Sequence, residues 1–180
     1  PRVPFQPRPV TSFAGATGVL GGTFDPVHLG HIAVALQCRA TLELAEVRLI
    51  PSFQPPHREP PLAPPEDRLA MAALATRGEP GLVVDDVEVR RGGMSYMVDT
   101  LRQLQAAGFA RLVLLLGYDA AVELGSWDRA EDIPALAEVV VFNRTGAGRD
   151  HVEGALPAGT TGVEVESPEI SATDVRERLA

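Results

Sequence analysis

The chain contains the stretch Gly21-Gly22-Thr23-Phe24-Asp25-Pro26-Val27-His28-Leu29-Gly30-His31, which follows a short apolar run and precedes an Ala- and Leu-rich segment, residues 32–44. This order predicts a strand, a tight glycine turn and the start of a helix. Backbone N–H groups at a helix N-terminus lack intrahelical acceptors, and the helix dipole favours an anion there. His28 and His31 are three residues apart, so both imidazoles can lie on one face of the first turn. The stretch therefore predicts a place that holds phosphate groups.

Apolar runs and helical patterns alternate along the rest of the chain. This alternation predicts an α/β fold in one domain, with a doubly wound parallel sheet and helices on both faces. Such sheets bind ligands beyond the carboxyl ends of their strands, where the strand order reverses, and the loop after the first strand is the usual candidate. The predicted strands cover residues 18–22, 47–50, 82–84, 112–116, 139–142 and 163–165. The predicted helices cover residues 29–44, 66–77, 96–107, 120–124 and 129–136, followed by a last helix near the C-terminal end. Ser95 is the predicted N-cap of the helix at 96–107, and Ser171 is the predicted N-cap of the last one.

The composition limits the classes of partner and the cellular location. The length of 180 residues suits one domain. The formal net charge of −8 argues against binding to nucleic acid or to a membrane surface. The single cysteine, Cys38, excludes an intrachain disulfide framework and favours a reducing compartment. No apolar run approaches membrane-spanning length and no signal-peptide pattern is visible, so the expected location is the cytoplasm.

Two further features concern the N-terminal segment and the basic residues. Residues 1–17 are proline-rich and lack periodicity, which predicts a mobile or loosely docked extension before a domain of residues 18–180. The chain contains no lysine, so every basic side chain apart from histidine is an arginine. Any phosphate binding must therefore use guanidinium groups, imidazoles and backbone donors.

The two histidines of the opening stretch also allow structural interpretations. A histidine pair at this spacing is by itself more often a capping or packing feature, whereas its coincidence with glycines, a threonine, an aspartate and a proline favours a functional site. Zinc binding by His28 and His31 would need a third ligand, and the segment offers no clear one. We therefore predict no metal site formed by the protein.

The opening stretch resembles the HxGH nucleotidyltransferases, and within them the bacterial nicotinate-nucleotide adenylyltransferases, whose pattern reads much like Gly22-Thr23-Phe24-Asp25-Pro26-x-His28-x-Gly30-His31. The resemblance spans about residues 18–180 and implies a Rossmann-like fold. Further marks of that family follow in the expected order, namely Pro55-Pro56-His57-Arg58, Ser95-Tyr96-x-x-Asp99-Thr100-Leu101, Leu116-Gly117-x-Asp119 with Trp127, Phe142-Asn143-Arg144, and Ile170-Ser171-x-Thr173-x-x-Arg176.

The sequence departs from the family pattern at several positions. Arg58 replaces the usual lysine, Ala172 the second serine, and Thr145 a common proline. Met97 replaces the threonine after Ser-Tyr, which removes a side-chain hydroxyl from the nicotinate pocket but leaves the backbone N–H in place. The family normally continues for another helix beyond Arg176, so the resemblance implies that the chain is truncated at its C-terminal end.

The resemblance also implies roles for individual residues. It makes His28, His31 and Arg176 the catalytic residues, which hold the phosphates of ATP and the departing pyrophosphate. The residues expected to bind ATP are Gly22, Thr23, Phe24, Gly30, Gly117, Asp119, Ile170, Ser171 and Thr173. The residues expected to bind nicotinic acid mononucleotide are Asp25, Arg58, Ser95, Tyr96, Met97, Trp127 and Arg144.

Some of these assignments have structural alternatives. Trp127 is expected to stack on the pyridine ring, but a lone tryptophan also suits the core, and so does Tyr96. Asp119 also suits a helix cap. Residues 170–176 also suit an ordinary capped helix with a solvated arginine.

The reaction that the resemblance implies is adenylyl transfer from ATP to nicotinic acid mononucleotide, a step of NAD biosynthesis that yields deamido-NAD and pyrophosphate. Mg²⁺ is the expected cofactor and would enter with ATP, bound chiefly through phosphate oxygens and water. The expected partners are these two nucleotides, with no nucleic acid and no membrane, while self-association into a homo-oligomer is left open.

The sequence leaves several alternatives to this reaction. The acceptor could be nicotinamide mononucleotide or phosphopantetheine, although the phosphopantetheine enzymes usually carry threonine at the position of His28 and lack the Trp127 block. A polyol-phosphate cytidylyltransferase shares the HxGH motif but differs near the C-terminal helix. A non-catalytic nucleotide-binding module on the same fold is the alternative from another class, and the presence of both histidines and Arg176 argues against it.

Overall fold

Six parallel strands form one sheet in the computed structural model, which describes residues 12–56, 58–145, 156 and 161–179, without the side chains of residues 144 and 145. In chain order the strands are β1 (Thr17–Gly22), β2 (Glu46–Pro51), β3 (Leu82–Val84), β4 (Leu112–Gly117), β5 (Glu138–Thr145) and β6 (Thr161–Glu166). The helices are α1 (Leu29–Thr41), α2 (Pro65–Ala75), α3 (Val87–Arg91), α4 (Met97–Ala106), α5 (Tyr118–Glu123), α6 (Ile133–Leu136) and α7 (Ala172–Leu179). Short 3₁₀ turns at Leu124–Ser126 and Ala130–Asp132 lie between α5 and α6.

The strand order β3-β2-β1-β4-β5-β6 places the reversal of direction between β1 and β4. β1 pairs with β2 along its whole length, from Thr17 to Gly22, but its pairing with β4 ends at Val19. The carboxyl ends of β1 and β4 therefore open a crevice, and such a crevice is where ligands bind to doubly wound sheets. The predicted fold class is confirmed, with the loop after β1 at the crevice.

Both faces of the sheet are covered, because successive strand residues face opposite sides. Leu20 packs in a core cluster with Ala35 of α1, whereas its neighbour Val19 packs in a second cluster with Leu101 of α4. Every residue from Leu112 to Leu116 in β4 is buried, as its unbroken apolar run predicts for a central strand.

The described end of the N-terminal segment is packed against the domain, which corrects the expectation of a loosely docked extension up to residue 17. Phe13 is 5% exposed within the first core cluster, and its N–H donates to the Leu42 carbonyl. Ala16 is fully buried, and β1 already begins at Thr17. Residues 1–11 lie outside the described part of the chain.

Several element boundaries also differ from those predicted. α1 ends at Thr41 instead of residue 44, and α4 begins at Met97 with Tyr96 as its N-cap, so the predicted N-cap at Ser95 is wrong. The segment 129–136 divides into a 3₁₀ turn and the short α6. The helix α3 has too few residues to show a periodic pattern, and sequence reasoning missed it. Between the predicted strands at 139–142 and 163–165, the sequence predicts a glycine-rich loop at residues 146–162, of which residues 146–155 and 157–160 lie outside the described part.

The buried face of α2 differs from its apolar pattern. The sequence pattern rests on Leu69, Ala72, Ala73 and Ala75, but the buried residues of this helix are Arg68 and Ala72. Ala73 and Ala75 are exposed.

Within the described residues, no helix combines the length and the apolar character needed to cross a membrane.

Candidate active site

The loop after β1 turns sharply because the Phe24 ring folds back over the strand end. Phe24 has a φ of 49° and is 3% exposed. A Cβ atom at Gly22 would lie 2.9 Å from that ring, and a Cβ atom at Gly21 would lie 2.7 Å from the Met97 side chain. Gly22 is therefore needed where it stands, since a side chain there would displace the buried Phe24 ring, whereas a Cβ atom at Gly21 would meet only the flexible end of Met97.

The two histidines form the N-terminal cap of α1. His28 is the N-cap, and its Nδ1 accepts the Gly30 N–H at 3.2 Å. Nδ1 of His31 accepts the His28 N–H, also at 3.2 Å. The rings stack with centroids 3.8 Å apart, and the Phe24 ring meets His31 edge-on at 4.9 Å. The predicted proximity of the two imidazoles is thus confirmed by the geometry.

This cap determines which ring nitrogen of each histidine carries the proton. A neutral imidazole whose Nδ1 accepts a hydrogen bond must carry its proton on Nε2. Both Nε2 atoms are therefore N–H donors in the neutral rings, located at a helix N-terminus. Such a pair of donors suits an anion, which the first turn of α1 also favours.

The second helix at the site is α7, with Ser171 at its N-terminal cap. The Ser171 N–H donates to Asp174 Oδ2 at 2.8 Å, and the Asp174 N–H donates to Ser171 Oγ at 3.1 Å. The hydrogen bonds from Ser171 hold the pKa of the Asp174 carboxyl below its ordinary value. The predicted cap at Ser171 is confirmed, with Asp174 as its partner three residues later.

Arg176 connects α7 to the loop after β1. Its guanidinium donates to the Asp25 carbonyl oxygen and, at 3.1 Å, to the Thr173 hydroxyl. Gly30 lies beside the loop before α7, since a Cβ atom there would be 3.1 Å from Ser167 Oγ. The structure therefore brings the N-termini of α1 and α7 together at one end of the sheet.

The Asp25 side chain anchors the long loop between β2 and α2. Its carboxylate accepts the Leu62 N–H at 2.8 Å and the Ala63 N–H at 3.2 Å. The Asp25–Pro26 peptide bond is cis. In this arrangement the Asp25 carboxylate has backbone partners of the protein itself, and its contact with the nucleotide stays a prediction. Arg58, on the same loop, is exposed.

Ser95, Tyr96 and Met97 lie where α4 begins, beside the end of β1. The Ser95 hydroxyl accepts the Phe53 N–H at 2.8 Å, which ties this turn to the loop after β2. Tyr96 and Met97 are half-buried, and Met97 packs against the second core cluster. The three residues are thus grouped as predicted, with Ser95 acting as a loop contact.

A buried carboxylate lies beneath this turn. Glu88 of α3 is 3% exposed and accepts the Thr100 hydroxyl at 2.6 Å. Burial raises the pKa of the Glu88 carboxyl, while hydrogen bonds from Thr100 and Ser95 and the charge of Arg91 act in the opposite direction. This carboxylate thereby orients the Ser95 hydroxyl.

Trp127 is half-buried and packs against the second core cluster, to which Met97 and Tyr118 also contribute. The loop that carries it is joined to α4 by Arg129, whose φ is 49° and whose guanidinium contacts Asp99 at 2.9 Å and Asp128 at 2.7 Å. Packing accounts for one part of the Trp127 side chain, and the exposed part leaves a surface for a ligand.

The other predicted site residues occupy varied environments. Gly117 ends β4, and a Cβ atom there would make only ordinary contact with Phe142 at 3.5 Å. Asp119 is exposed in the first turn of α5. Ile170 is half-buried and Thr173 is exposed, both near the start of α7. Arg144 lies in β5, and its side chain is outside the described part.

Sequence reasoning missed Arg68, Glu88 and the Asp99–Arg129 pair. Arg68 is four residues before the buried Ala72 on the same helix, and this spacing could have placed it on the inner face. No local pattern could have predicted the Glu88–Thr100 and Arg129–Asp99 contacts, because the paired residues are 12 and 30 positions apart in the sequence.

Comparison with known proteins identifies the family of this chain. The profile of the cytidylyltransferase-like family matches residues 19–178. A probable nicotinate-nucleotide adenylyltransferase of Pseudomonas fluorescens is 46% identical over 132 residues, and its counterpart in Hahella chejuensis is 51% identical over 131 residues. These alignments cover 72% and 71% of this chain but 62% and 60% of the two relatives, so the chain spans less than two thirds of their length.

A third relative and two solved structures extend the comparison. A probable nicotinate-nucleotide adenylyltransferase of Roseiflexus sp. is 41% identical over 169 residues, which cover 91% of this chain and 85% of the relative. The Plasmodium falciparum nicotinic acid mononucleotide adenylyltransferase complexed with NaAD superposes with a TM-score of 0.70 at 15% identity, over 92% of this chain and 84% of that one. A putative nicotinate-nucleotide adenylyltransferase from Vibrio parahaemolyticus superposes with a TM-score of 0.65 at 17% identity, over 92% of this chain and 86% of that one. At such identities the structures show a shared fold, whereas the sequence matches show that the chain belongs to the cytidylyltransferase-like family and, within it, to the nicotinate-nucleotide adenylyltransferases.

Proposed function

We propose that this protein transfers the adenylyl group of ATP to nicotinic acid mononucleotide and releases pyrophosphate. The observation that carries the proposal is the stacked pair of imidazoles at the start of α1, with the Arg176 guanidinium bound to the loop that leads into this helix at the reversal point of the sheet. The names of the relatives support the choice of substrates.

The reaction needs positioning and charge stabilisation more than a protein nucleophile. An oxygen of the acceptor's 5′-phosphate attacks the α-phosphorus of ATP, and the bond from that phosphorus to the bridging oxygen of the β-phosphate breaks. The electron pair leaves with pyrophosphate. Two anions must therefore be brought together, and the charge on the departing group must be stabilised.

The residues at the start of α1 would supply that stabilisation. Nε2–H of His28 and of His31, with backbone N–H groups of the loop after β1, would hold the α- and β-phosphates. Arg176 would exchange its carbonyl partner for the leaving phosphates, because a charge-assisted bond to an anion is stronger than one to a neutral carbonyl. The Thr23 and Ser171 hydroxyls are candidates for further contacts.

The acceptor nucleotide would lie on the other side of the crevice, towards α4. The half-buried Trp127 offers a flat face for the pyridine ring, and the backbone N–H groups at the start of α4 suit the nicotinate carboxylate. Arg58 and Arg144 are the candidate partners for the acceptor's phosphate.

Magnesium would reach this site as part of the ATP substrate. Among the described residues, no three His, Cys, Asp or Glu side chains are grouped so that they could hold a metal ion. The Asp25 carboxylate is already held by two backbone N–H groups. This donor set suits an ion that is carried by phosphate oxygens and water.

The test is a pyrophosphate-release assay with the full chain, magnesium and ATP. The acceptors are nicotinic acid mononucleotide, nicotinamide mononucleotide and 4′-phosphopantetheine, and CTP with a polyol phosphate serves as a further arm. We expect the highest kcat/KM with nicotinic acid mononucleotide. A higher kcat/KM with another acceptor would reassign the substrate. If no acceptor gives pyrophosphate release, the protein is a nucleotide-binding module without this activity.

A further inference from the structure

Arg68 is an arginine whose side chain is completely buried. It lies on α2 with 0% exposure, and in the described part of the chain its hydrogen bonds all go to backbone carbonyl oxygens. Nε donates to Ala63 at 3.1 Å, and the two terminal nitrogens donate to Thr23 at 2.6 Å and to Phe53 at 3.1 Å. One guanidinium therefore contacts three separate points of the chain.

These three points all belong to loops that surround the crevice. Thr23 is in the loop after β1, directly before Phe24 with its positive φ. Phe53 is in the loop after β2, and its N–H binds the Ser95 hydroxyl. Ala63 is at the far end of that loop, and its N–H binds the Asp25 carboxylate. Arg68 thus binds backbone carbonyls of the loop after β1 and of the loop after β2.

A buried cation has a cost that packing alone does not explain. Burial lowers the pKa of the Arg68 guanidinium, although the charges of Asp25 and Glu66 act in the opposite direction. Even a complete buried ion pair can often be replaced by apolar residues of similar volume without loss of stability. The planar fork of arginine spreads its donors over three nitrogens, and each of them reaches a different carbonyl here. Lysine carries its three N–H donors on one nitrogen atom and cannot span the same positions.

We infer that Arg68 is a positioning residue for adenylyl transfer, whose guanidinium fixes the Thr23 and Phe53 carbonyls and so orients the phosphate-binding loop after β1. The inference rests on the proposed function. Because Arg68 is fully buried, it would act through the Thr23 peptide and through the neighbouring N–H groups that the proposed function assigns to the phosphates. Because Phe53 also connects to Ser95, the same guanidinium links the ATP side of the crevice to the start of α4.

The test compares Arg68→Lys and Arg68→Met with a matched control, Arg48→Lys. Arg48 on β2 is also partly buried, but it contacts Glu46, Asp85 and the Phe109 ring, away from these loops. We expect both Arg68 variants to lower kcat about 10²-fold, the usual effect of a small misplacement of reacting groups. KM for both nucleotides should change far less, and Arg48→Lys should lower the thermal midpoint while leaving kcat unchanged.

The outcomes separate positioning from stability. Assays are run below the thermal midpoint of every variant, so that a loss of kcat reports on the folded enzyme. If the Arg68 variants keep the wild-type kcat, or if neither folds, Arg68 is a folding residue and the inference is overturned. The inference is also overturned if the control Arg48→Lys lowers kcat and raises KM to an equal extent, because a loss of activity would then not be specific to the loops that Arg68 contacts.

A second measurement keeps the inference separate from the proposed function. Hydrogen–deuterium exchange of the segment 22–31 needs no substrate, and it should be faster in the Arg68 variants than in wild type or Arg48→Lys. A wild-type protein that releases no pyrophosphate would refute the proposed activity while the exchange data still report on Arg68. Unchanged exchange in this segment would refute the loop-fixing role even in an active enzyme.

Discussion

His28 and His31 each use their Nδ1 atom for the fold, and the proposed function uses their Nε2 atoms for the phosphates. Nδ1 of His28 accepts the Gly30 N–H and Nδ1 of His31 accepts the N–H of the N-cap residue His28, so each neutral ring carries its proton on Nε2. The position of the donor is therefore set by the helix cap itself. Any substitution at these residues has a structural effect and a functional effect, which can be separated by choosing the replacement.

His31→Gln should separate the two effects. A glutamine at this position of a helix can still reach back to the N-cap N–H, so the cap is retained while the imidazole is lost. We expect kcat for pyrophosphate release to fall about 10²–10³-fold, the usual effect of losing a transition-state donor. The thermal midpoint should stay near that of wild type.

The companion variant His31→Ala removes both the imidazole and the cap. It should lose activity to the same extent and, in addition, about 1 kcal/mol of stability. Near-normal turnover in His31→Gln would exclude the imidazole from catalysis.

Cys38 provides a prediction about reactivity. It is buried in α1, and burial raises the pKa of its thiol to about 12. Because the thiolate is the reactive form, the folded protein should resist alkylation by iodoacetamide at neutral pH. Mass spectrometry should show modification only after unfolding in denaturant. Rapid labelling of the native protein would contradict the burial of this residue.

At the scale of elements, the junction between α3 and α4 rests on a buried acid. Glu88 holds Thr100 and Ser95, so it fixes the turn that leads into α4. Since burial raises its pKa, the folded state binds this proton more tightly than the unfolded state. The free energy of unfolding should therefore fall as the pH rises from the ordinary glutamate value of about 4.3 through the raised value.

Glu88→Gln should remove this part of the pH dependence. The amide oxygen can still accept the Thr100 hydroxyl, but it carries no proton that titrates. Urea unfolding over the acidic to neutral range should give a flatter profile for this variant than for wild type. Glu131→Gln serves as the control, because Glu131 is exposed and should reproduce the wild-type slope. Identical slopes in all three proteins would show that Glu88 does not titrate with folding.

At the scale of the whole molecule, the sheet separates two regions around one crevice. The loop after β1 and the start of α7 form the region with the histidines and Arg176, while α4 and the loop of Trp127 form the other. If ATP occupies the first region and the mononucleotide the second, substitutions in each should affect one substrate more than the other.

Trp127→Ala tests this division. We expect KM for nicotinic acid mononucleotide to rise more than KM for ATP, because the exposed part of the indole is lost as a stacking surface. Trp127→Phe retains a flat ring and should recover part of the affinity. Steady-state titration of each substrate against a saturating level of the other gives the comparison. Equal losses for both substrates, or no loss, would assign Trp127 to packing alone.

Much of the architecture could be predicted from local patterns. The β4 run is uniformly apolar because it is buried on both faces, and the strands at 82–84 and 112–116 lie within one residue of their predicted ends. The Ser171 box was also predictable, since its partner Asp174 is three residues away. The helix α3 was missed because it is short, and the Ser95 cap was misplaced because its hydroxyl instead binds Phe53, which is 42 residues distant.

The sequence by itself determined the alternation of strands and helices and the turn at residues 21–31 between the first strand and the first helix. Both follow from periodicity and from residue preferences that act within a few positions. Only the tertiary structure decided which groups hold that turn in place: the Arg68 guanidinium on Thr23, Arg176 on Asp25, and Asp25 on the backbone at residues 62 and 63. These bonds join segments separated by between 37 and 151 residues, so no local pattern encodes them, and they form only when the strand order brings the loops to one edge of the sheet.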